Sequence, residues 1–191
     1  MRVSENRYER DVRKHRLAKW MIAHGARTHT LTQWTGLSRY RVQALFRSYH
    51  ETRDNRRRGI SPFQSAYFGK SLGLEAESLA FAFIAYEMDV IPEPVVIDAR
   101  RALPGLARGE RLMMAFEMYR ALVPEAHISL ERAILFVIEL SERRQLYLRR
   151  CRTCPDAMVV DRFGPHQDQC PFCRSEHQLG PLRHPDPSPM P

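Results

Sequence analysis

The sequence predicts a mainly α fold: an N-terminal helix-turn-helix, a helical middle and a C-terminal four-cysteine segment of the zinc-ribbon kind. Three observations carry this prediction. Apolar residues recur three and four positions apart in segments punctuated by Gly and Pro. Gly36 divides two short segments of that type inside a strongly basic N-terminal third. All four cysteines fall near the C-terminus as Cys151-x2-Cys154-x15-Cys170-x2-Cys173. The expected organisation is a basic helical region over 1–60, a helical body over 61–148, the cysteine segment over 149–176 and a Pro-rich tail over 177–191.

Taken in order, residues 5–24 read as a helix with Leu17, Trp20, Met21 and the region of His24 on one side, stopped by Gly25. Thr30-x-x-Gln33 fits a capping box that starts a second helix, and Gly36 ends it. Ser38 caps a third helix that runs to about His50. A charged linker with Arg53, Arg56, Arg57 and Arg58 closes at Gly59 and Ser61-Pro62. The helix expected over 74–89 carries Leu74, Leu79, Phe83 and Tyr86 as its apolar stripe. Pro92 and Pro94 separate it from a helix near 95–103. Residues 109–122 place Leu112, Met113, Phe116 and Tyr119 at helical spacing, and Pro124 breaks the pattern. A long helix over 129–148 follows, with Ser129 as cap and Ala133, Phe136, Val137 and Leu140 facing the core. Five prolines after residue 176 leave the tail too poor in apolar residues to fold, so it is expected to be disordered.

Each CxxC turn aims two sulfurs at one point, and the intervening loop brings the second pair back to complete a tetrahedron. Four thiolates fill every position on the ion, so the expected cofactor is one structural Zn2+ held by Cys151, Cys154, Cys170 and Cys173. The alternatives are two disulfides or a redox CxxC. An opening rich in charge, without a signal peptide, points to reducing cytosol and against disulfides. No βαβ pattern surrounds either pair. His166 and His177 flank the second pair as loop residues, since the thiolates already saturate the ion. His24 and His29 read as packing or capping residues.

Residues 1–58 hold fifteen Lys and Arg against five Asp and Glu, whereas residues 59–148 hold nine against twelve. The positive charge therefore belongs to one end, and it is mostly Arg, which pairs with phosphate and guanine edges in a planar, bidentate way. A solvated basic face fits that composition equally well. The segment 30–50 adds a more specific pattern. Gly36 supplies the left-handed turn residue, and Leu31, Leu37, Val42 and Leu45 lock two helices together. Projection at about 100° per residue puts Val42, Leu45, Phe46 and Tyr49 inward. Tyr40, Gln43, Ala44 and Arg47 point outward, with Arg39 and Arg41 on the flanks. Such a face suits a major groove, with Ser38 and the helix N-terminus on a phosphate and Arg53, Arg56, Arg57 and Arg58 on the backbone. An ordinary helical corner with solvated charges is the competing reading.

Several of these stretches together resemble one family. HGAR at 24–27 follows the long first helix, and TGLSRYRVQALFRSY occupies 35–49. The basic linker runs into SPFQSAYF at 61–68, and the cysteine pairs close the series. This is similar to the FlhC family, the C subunit of the bacterial flagellar master activator, over most of residues 8–175. The Arg-rich linker and the Pro-rich tail depart from that family's pattern. The resemblance implies a non-enzymatic, cytoplasmic transcription activator of flagellar class II operons. It would act in a hetero-oligomer with an FlhD-type subunit, bind double-stranded promoter DNA, recruit RNA polymerase and hold zinc on the four cysteines. Related activators of mobile-element transfer genes are an alternative target class.

Two other function classes compete. A zinc-stabilised, protein-only adaptor would leave the basic end solvated. An enzyme is disfavoured by the saturated cysteine set and by the lack of HExxH, GxSxG or a phosphate-cradling Gly-rich loop. No apolar run is long enough to span a bilayer, so no membrane partner is expected.

Overall fold

A computed structural model gives the fold and describes residues 5–49, 62–69, 71–91, 104–165 and 168–179. The protein is mainly helical, with eight helices and one two-stranded hairpin among those residues. Helix α1 (Glu5–Ala23) buries Leu17, Ala18, Met21 and Ile22 on one stripe, while its first half is charged and largely exposed. It ends where Gly25 takes φ 75°, a conformation that disfavours any residue with a Cβ.

Helix α2 (Thr28–Thr35) begins two residues earlier than the Thr30 capping box predicts. Thr30 is buried inside it, and the N-cap residue Arg27 makes no side-chain cap bond. Instead the Arg27 N–H donates to Glu131 Oε1 at 2.6 Å. A carboxylate 104 residues away thus supplies an acceptor at the helix start, which no local pattern reveals. Gly36 closes α2 in the left-handed region with φ 66°, as expected. Ser38 Oγ then accepts the Arg41 N–H at 3.4 Å and opens α3 (Arg39–Tyr49). Val42 and Phe46 are buried and Leu45 is half-buried against them. Tyr49 is not part of that stripe: burial stops at Phe46, and the ring is 48% exposed.

After the short α4 (Ser65–Phe68), Ser71 caps α5 (Leu72–Glu87) by accepting the Leu74 N–H at 3.3 Å. The apolar face of α5 differs from the predicted one. Phe81, Ala82 and Ala85 are fully buried, whereas Phe83 is 62% exposed. The run LAFAFIAY is apolar around the whole cylinder, so periodicity cannot choose a face. The choice is made by α6 (Leu106–Leu122), whose Phe116 and Tyr119 meet Phe81 edge-on at 6.4 and 5.4 Å. On α6 the predicted stripe Leu112, Met113, Phe116 and Tyr119 is buried. The helix expected near 95–103 lies outside the described residues.

Helix α7 (Leu130–Glu142) is shorter than predicted. Ser129 stands at its N-cap without a side-chain bond, and its carbonyl accepts the Ala133 N–H at 2.9 Å. Arg143 ends the helix in the left-handed region at φ 50°. Leu146–Arg150 then forms β1, antiparallel to β2 (Ala157–Asp161) with Leu146 opposite Asp161 and Arg150 opposite Ala157. The alternation of the strands splits their side chains between two clusters. Leu146 and Val159 join the main helical core, while Met158 and Val160 pack around the cysteines. A final helix α8 (Pro171–Leu179) replaces the start of the tail expected at 177.

The main core is one cluster running from Leu17 to Leu146, so the basic N-terminal helices and the helical body share it. Its tightest approach is at Gly109, where an added Cβ would lie 2.7 Å from Leu17 Cδ2 and 3.4 Å from Trp34 Cε3. Two polar groups stitch the body. The buried Arg108 guanidinium donates from Nε to Val90 O at 2.6 Å and from Nη2 to Ser141 Oγ at 2.7 Å. Glu77 Oε2 accepts from Tyr119 Oη at 2.6 Å and from His127 N at 3.0 Å. Burial pushes the Glu77 carboxyl up, but these donations and the His127 ring outweigh it and hold it below its ordinary 4.5.

Two predictions follow from this packing. Gly109→Ala forces a buried leucine out of place and should destabilise the protein by about 1–3 kcal/mol in urea titration. Glu77 is depressed when folded, so its stabilisation is present above the ordinary carboxylate range and lost as pH falls through the lowered value. Melting temperature followed by circular dichroism should therefore drop between about pH 6 and pH 3, less steeply in Glu77→Gln than in the natural sequence.

Candidate metal centre and basic helical face

The hairpin and α8 bring the four cysteines together. Cys151 follows the last residue of β1, and its N–H donates to Asp156 O at 2.8 Å, closing the turn that carries Cys154. Cys170 immediately precedes α8 and Cys173 sits in its first turn. The Arg152 N–H donates to Asp168 O at 2.9 Å and ties the two turns to each other. All four sulfurs lie within 4.8 Å of one another, and Cys154 and Cys170 approach to 3.6 Å. A tetrahedral ion with metal–sulfur bonds of about 2.3 Å needs sulfurs about 3.8 Å apart, so the cluster fits with little contraction. All four are free thiols.

The surroundings favour thiolates unevenly. Burial pushes Cys151 up, yet N–H donations from Cys170, Cys154 and Thr153 outweigh it and bring the thiol down to about 6. The Asp156 backbone N–H donates toward Cys154 and the Cys154 thiol toward Cys173, but burial and the crowding of neighbouring sulfurs raise both, Cys173 to about 11. A positive ion at the centre relieves that crowding, since it stabilises each thiolate directly. The four residues can hold a metal ion, and an ion ligated by all of them has no open position for a substrate. The side chains of His166 and His177 lie outside the description.

The second group of predicted residues sits on α3. Ser38, Arg39, Tyr40, Arg41, Ala44 and Arg47 are exposed and Gln43 is half-buried. Tyr40 stands out of the surface at 74% exposure. Arg41 is diverted toward α1, where its Nη1 lies 3.8 Å from Asp11 Oδ2. Arg53, Arg56, Arg57 and Arg58 lie outside the described residues. Near the cysteines, Arg149 and Arg152 both reach Asp168, whereas Arg150 and Arg162 are exposed.

The sequence assigns partner contact to the body over 61–148 without naming residues, and the structure shows which apolar side chains are exposed there. Phe83 on α5 and Met114, Met118 and Leu122 on α6 are exposed apolar side chains. The i, i+4, i+8 spacing of the three α6 residues was a readable signal of one stripe. Among the described residues no helix is long and apolar enough to cross a membrane. The chain matches no protein-family model and no curated protein.

Metal analysis of reduced protein should find one ion per chain. Cobalt(II) should give the intense thiolate charge-transfer absorption of a four-sulfur site. Zinc binding to such sets is worth on the order of 10 kcal/mol, so Cys154→Ser or Cys170→Ser should leave residues 149–175 open to protease. Affinity should fall with decreasing pH because the raised Cys154 and Cys173 thiols must shed protons to bind. Protein that binds neither ion would end this reading.

Proposed function

We propose that this chain is the DNA-binding subunit of a hetero-oligomeric transcription activator of the FlhC kind, cytoplasmic and without catalytic activity. The observation that carries the reading is the uncovered outward face of α3, with Arg39, Tyr40, Gln43 and Arg47, in a region where basic residues outnumber acidic ones threefold. In this reading α2, the Gly36 turn and α3 act as a helix-turn-helix, and α3 lies in the major groove. Arg39 and Arg47 suit guanine and Gln43 suits adenine. Arg53, Arg56, Arg57 and Arg58 anchor phosphates. The four cysteines hold one structural zinc in a ribbon-like segment, because four thiolates favour that ion and close its coordination.

A partner subunit is supported by the exposed stripe Met114, Met118 and Leu122 on α6 and by the exposed Phe83 on α5, since exposed apolar side chains in a stripe mark an interaction site. The resemblance in HGAR and TGLSRYRVQALFRSY makes that partner FlhD-type, with RNA polymerase as the recruited enzyme and flagellar operons as the target. Transfer genes of a mobile element are the variant of the same reading.

The test is DNA binding by the chain co-expressed with an FlhD-type subunit, on promoter and scrambled DNA across a salt series. Gln43→Ala should weaken promoter binding by roughly 1–3 kcal/mol and leave scrambled DNA unaffected. Arg57→Ala should weaken both alike and reduce the salt slope by about one unit. Equal loss on both DNAs for Gln43→Ala would take α3 out of the groove and move readout toward Arg150 and Arg162. A complex with no affinity for any DNA would return the chain to a protein-only adaptor.

A further inference from the structure

Glu75 is the one acidic residue buried as a whole among the described residues, at 8% exposure. It lies in the first turn of α5, in the helical body. Its partner comes from the other end of the chain: Arg174 Nη2 donates to Glu75 Oε2 across 99 positions. Arg174 immediately follows Cys173, and its own N–H donates to Cys170 O at 3.1 Å. Its backbone therefore belongs to the turn that carries two of the four sulfurs.

We propose that Glu75 and Arg174 form a metal-controlled latch between the cysteine centre and the helical body. An ion bound by the four sulfurs fixes the first turn of α8 against the hairpin, and so fixes the guanidinium that neutralises Glu75. Without the ion no metal–sulfur bonds join the Cys170 and Cys173 sulfurs to those of Cys151 and Cys154. The turn carrying Cys170 and Cys173 is then held to the first pair by hydrogen bonds such as Arg152 N–H to Asp168 O in place of metal–sulfur bonds, and Arg174 loosens with it. A carboxylate left buried without its cation is strongly unfavourable, so the start of α5 must open to water.

The consequence reaches further than one ion pair. Two residues along α5, Glu77 holds Tyr119 of α6 and the N–H of His127 before α7. The same helix carries Phe83 on its exposed side. Metal loading thus sets the integrity of the helix that joins α6, α7 and the exposed apolar surface. The hairpin's own attachment does not depend on the ion in this way. Gln145 Nε2 donates to Ser65 Oγ at 2.6 Å, and the Gln145 carbonyl accepts from Arg162 N at 2.8 Å, at the end of the hairpin remote from the sulfurs. The latch rests on the reading of the cysteines as a metal centre, and its test reads metal binding separately.

Both tryptophans, Trp20 and Trp34, lie in α1 and α2, so tryptophan fluorescence follows unfolding of the body and not of the cysteine segment. The full chain is compared cobalt-loaded and after chelation, in its natural sequence, in Arg174→Met, and in the charge-free pair Glu75→Gln with Arg174→Met. Loss of the cobalt–thiolate absorption marks release of the ion. The latch requires that chelation lowers the fluorescence midpoint of the natural chain. It requires the double variant to bind cobalt with the same absorption while its chelation shift shrinks to about half or less. Arg174→Met alone, which strands Glu75, should have a loaded midpoint close to that of the chelated natural chain. A chelation shift as large in the double variant as in the natural chain would overturn the latch, and so would a natural-chain midpoint that chelation does not move. Absence of any cobalt absorption would instead remove the metal centre and the latch together.

Discussion

The architecture depends on the missing side chain at Gly109. Helix α6 touches the corner between α1 and α2 there, with Leu17 Cδ2 in the space a Cβ would need and Trp34 at contact distance beside it. That close approach lets α6 serve two sides at once. Toward α1 it presents Glu117, which accepts from Trp20 Nε1 at 3.0 Å and meets His24 Nε2 at 2.6 Å. The Trp20 donation, against partial burial and with help from His24, holds that carboxyl below its ordinary value. Two turns earlier Glu110 takes both nitrogens of the Arg13 fork, at 2.9 and 2.5 Å. Toward α5 the same helix presents Phe116 and Tyr119. A basic N-terminal region that composition separates from the body is, in packing terms, part of it.

This matters for α3. In the proposed reading the surface must be aimed, and α3 rests on Val42, Leu45 and Phe46, with Arg41 reaching Asp11 of α1. Its direction is set by α2, through Gly36 and the Thr35 hydroxyl that accepts the Leu37 N–H at 3.2 Å. Helix α2 is set in turn by Glu131 at its start and by Trp34 against α6. The orientation of the outward face therefore traces back through α2 to the α1–α6 contact. That chain of contacts uses rigid helices and buried side chains, which hold geometry better than a loop does.

How much of this was readable beforehand divides by physical cause. The α6 stripe and the Gly36 turn were legible because each follows from spacing or from one residue's conformational freedom. The cysteine cluster was legible because four ligands in two CxxC pairs have few other uses. The start of α2 was not, since the acceptor at its first residues is Glu131 from α7. The face of α5 was not, since an all-round apolar run has no preferred side until Phe116 and Tyr119 select one. The end of α7 was lost because Leu146 and Leu148 continue a plausible helix by composition. Only pairing with Ala157–Asp161 makes them a strand, and that pairing is a long-range fact. The continuation of α8 to Leu179 was masked by the prolines that follow it. Glu75 and Arg174 were illegible for the same reason as Glu131: charges pair across the fold with no mark in the local sequence.

The cysteine segment is too small to stabilise itself by burial. Its own apolar cluster amounts to Met158 and Val160, with Tyr147 alongside and the sulfurs for the remainder. In so small a unit a bound ion would stand in for the missing core, which is why closed four-thiolate sites recur in short segments. The segment leans on α5 and α7 through the hairpin and α8, whereas α3 leans on α1 and α2. Among the described residues the two sides meet through the helical core. Disturbing the ion should then be felt first at α5 and its exposed apolar residues, and last at the outward face of α3. In the proposed activator, that order would separate assembly with a partner from contact with DNA.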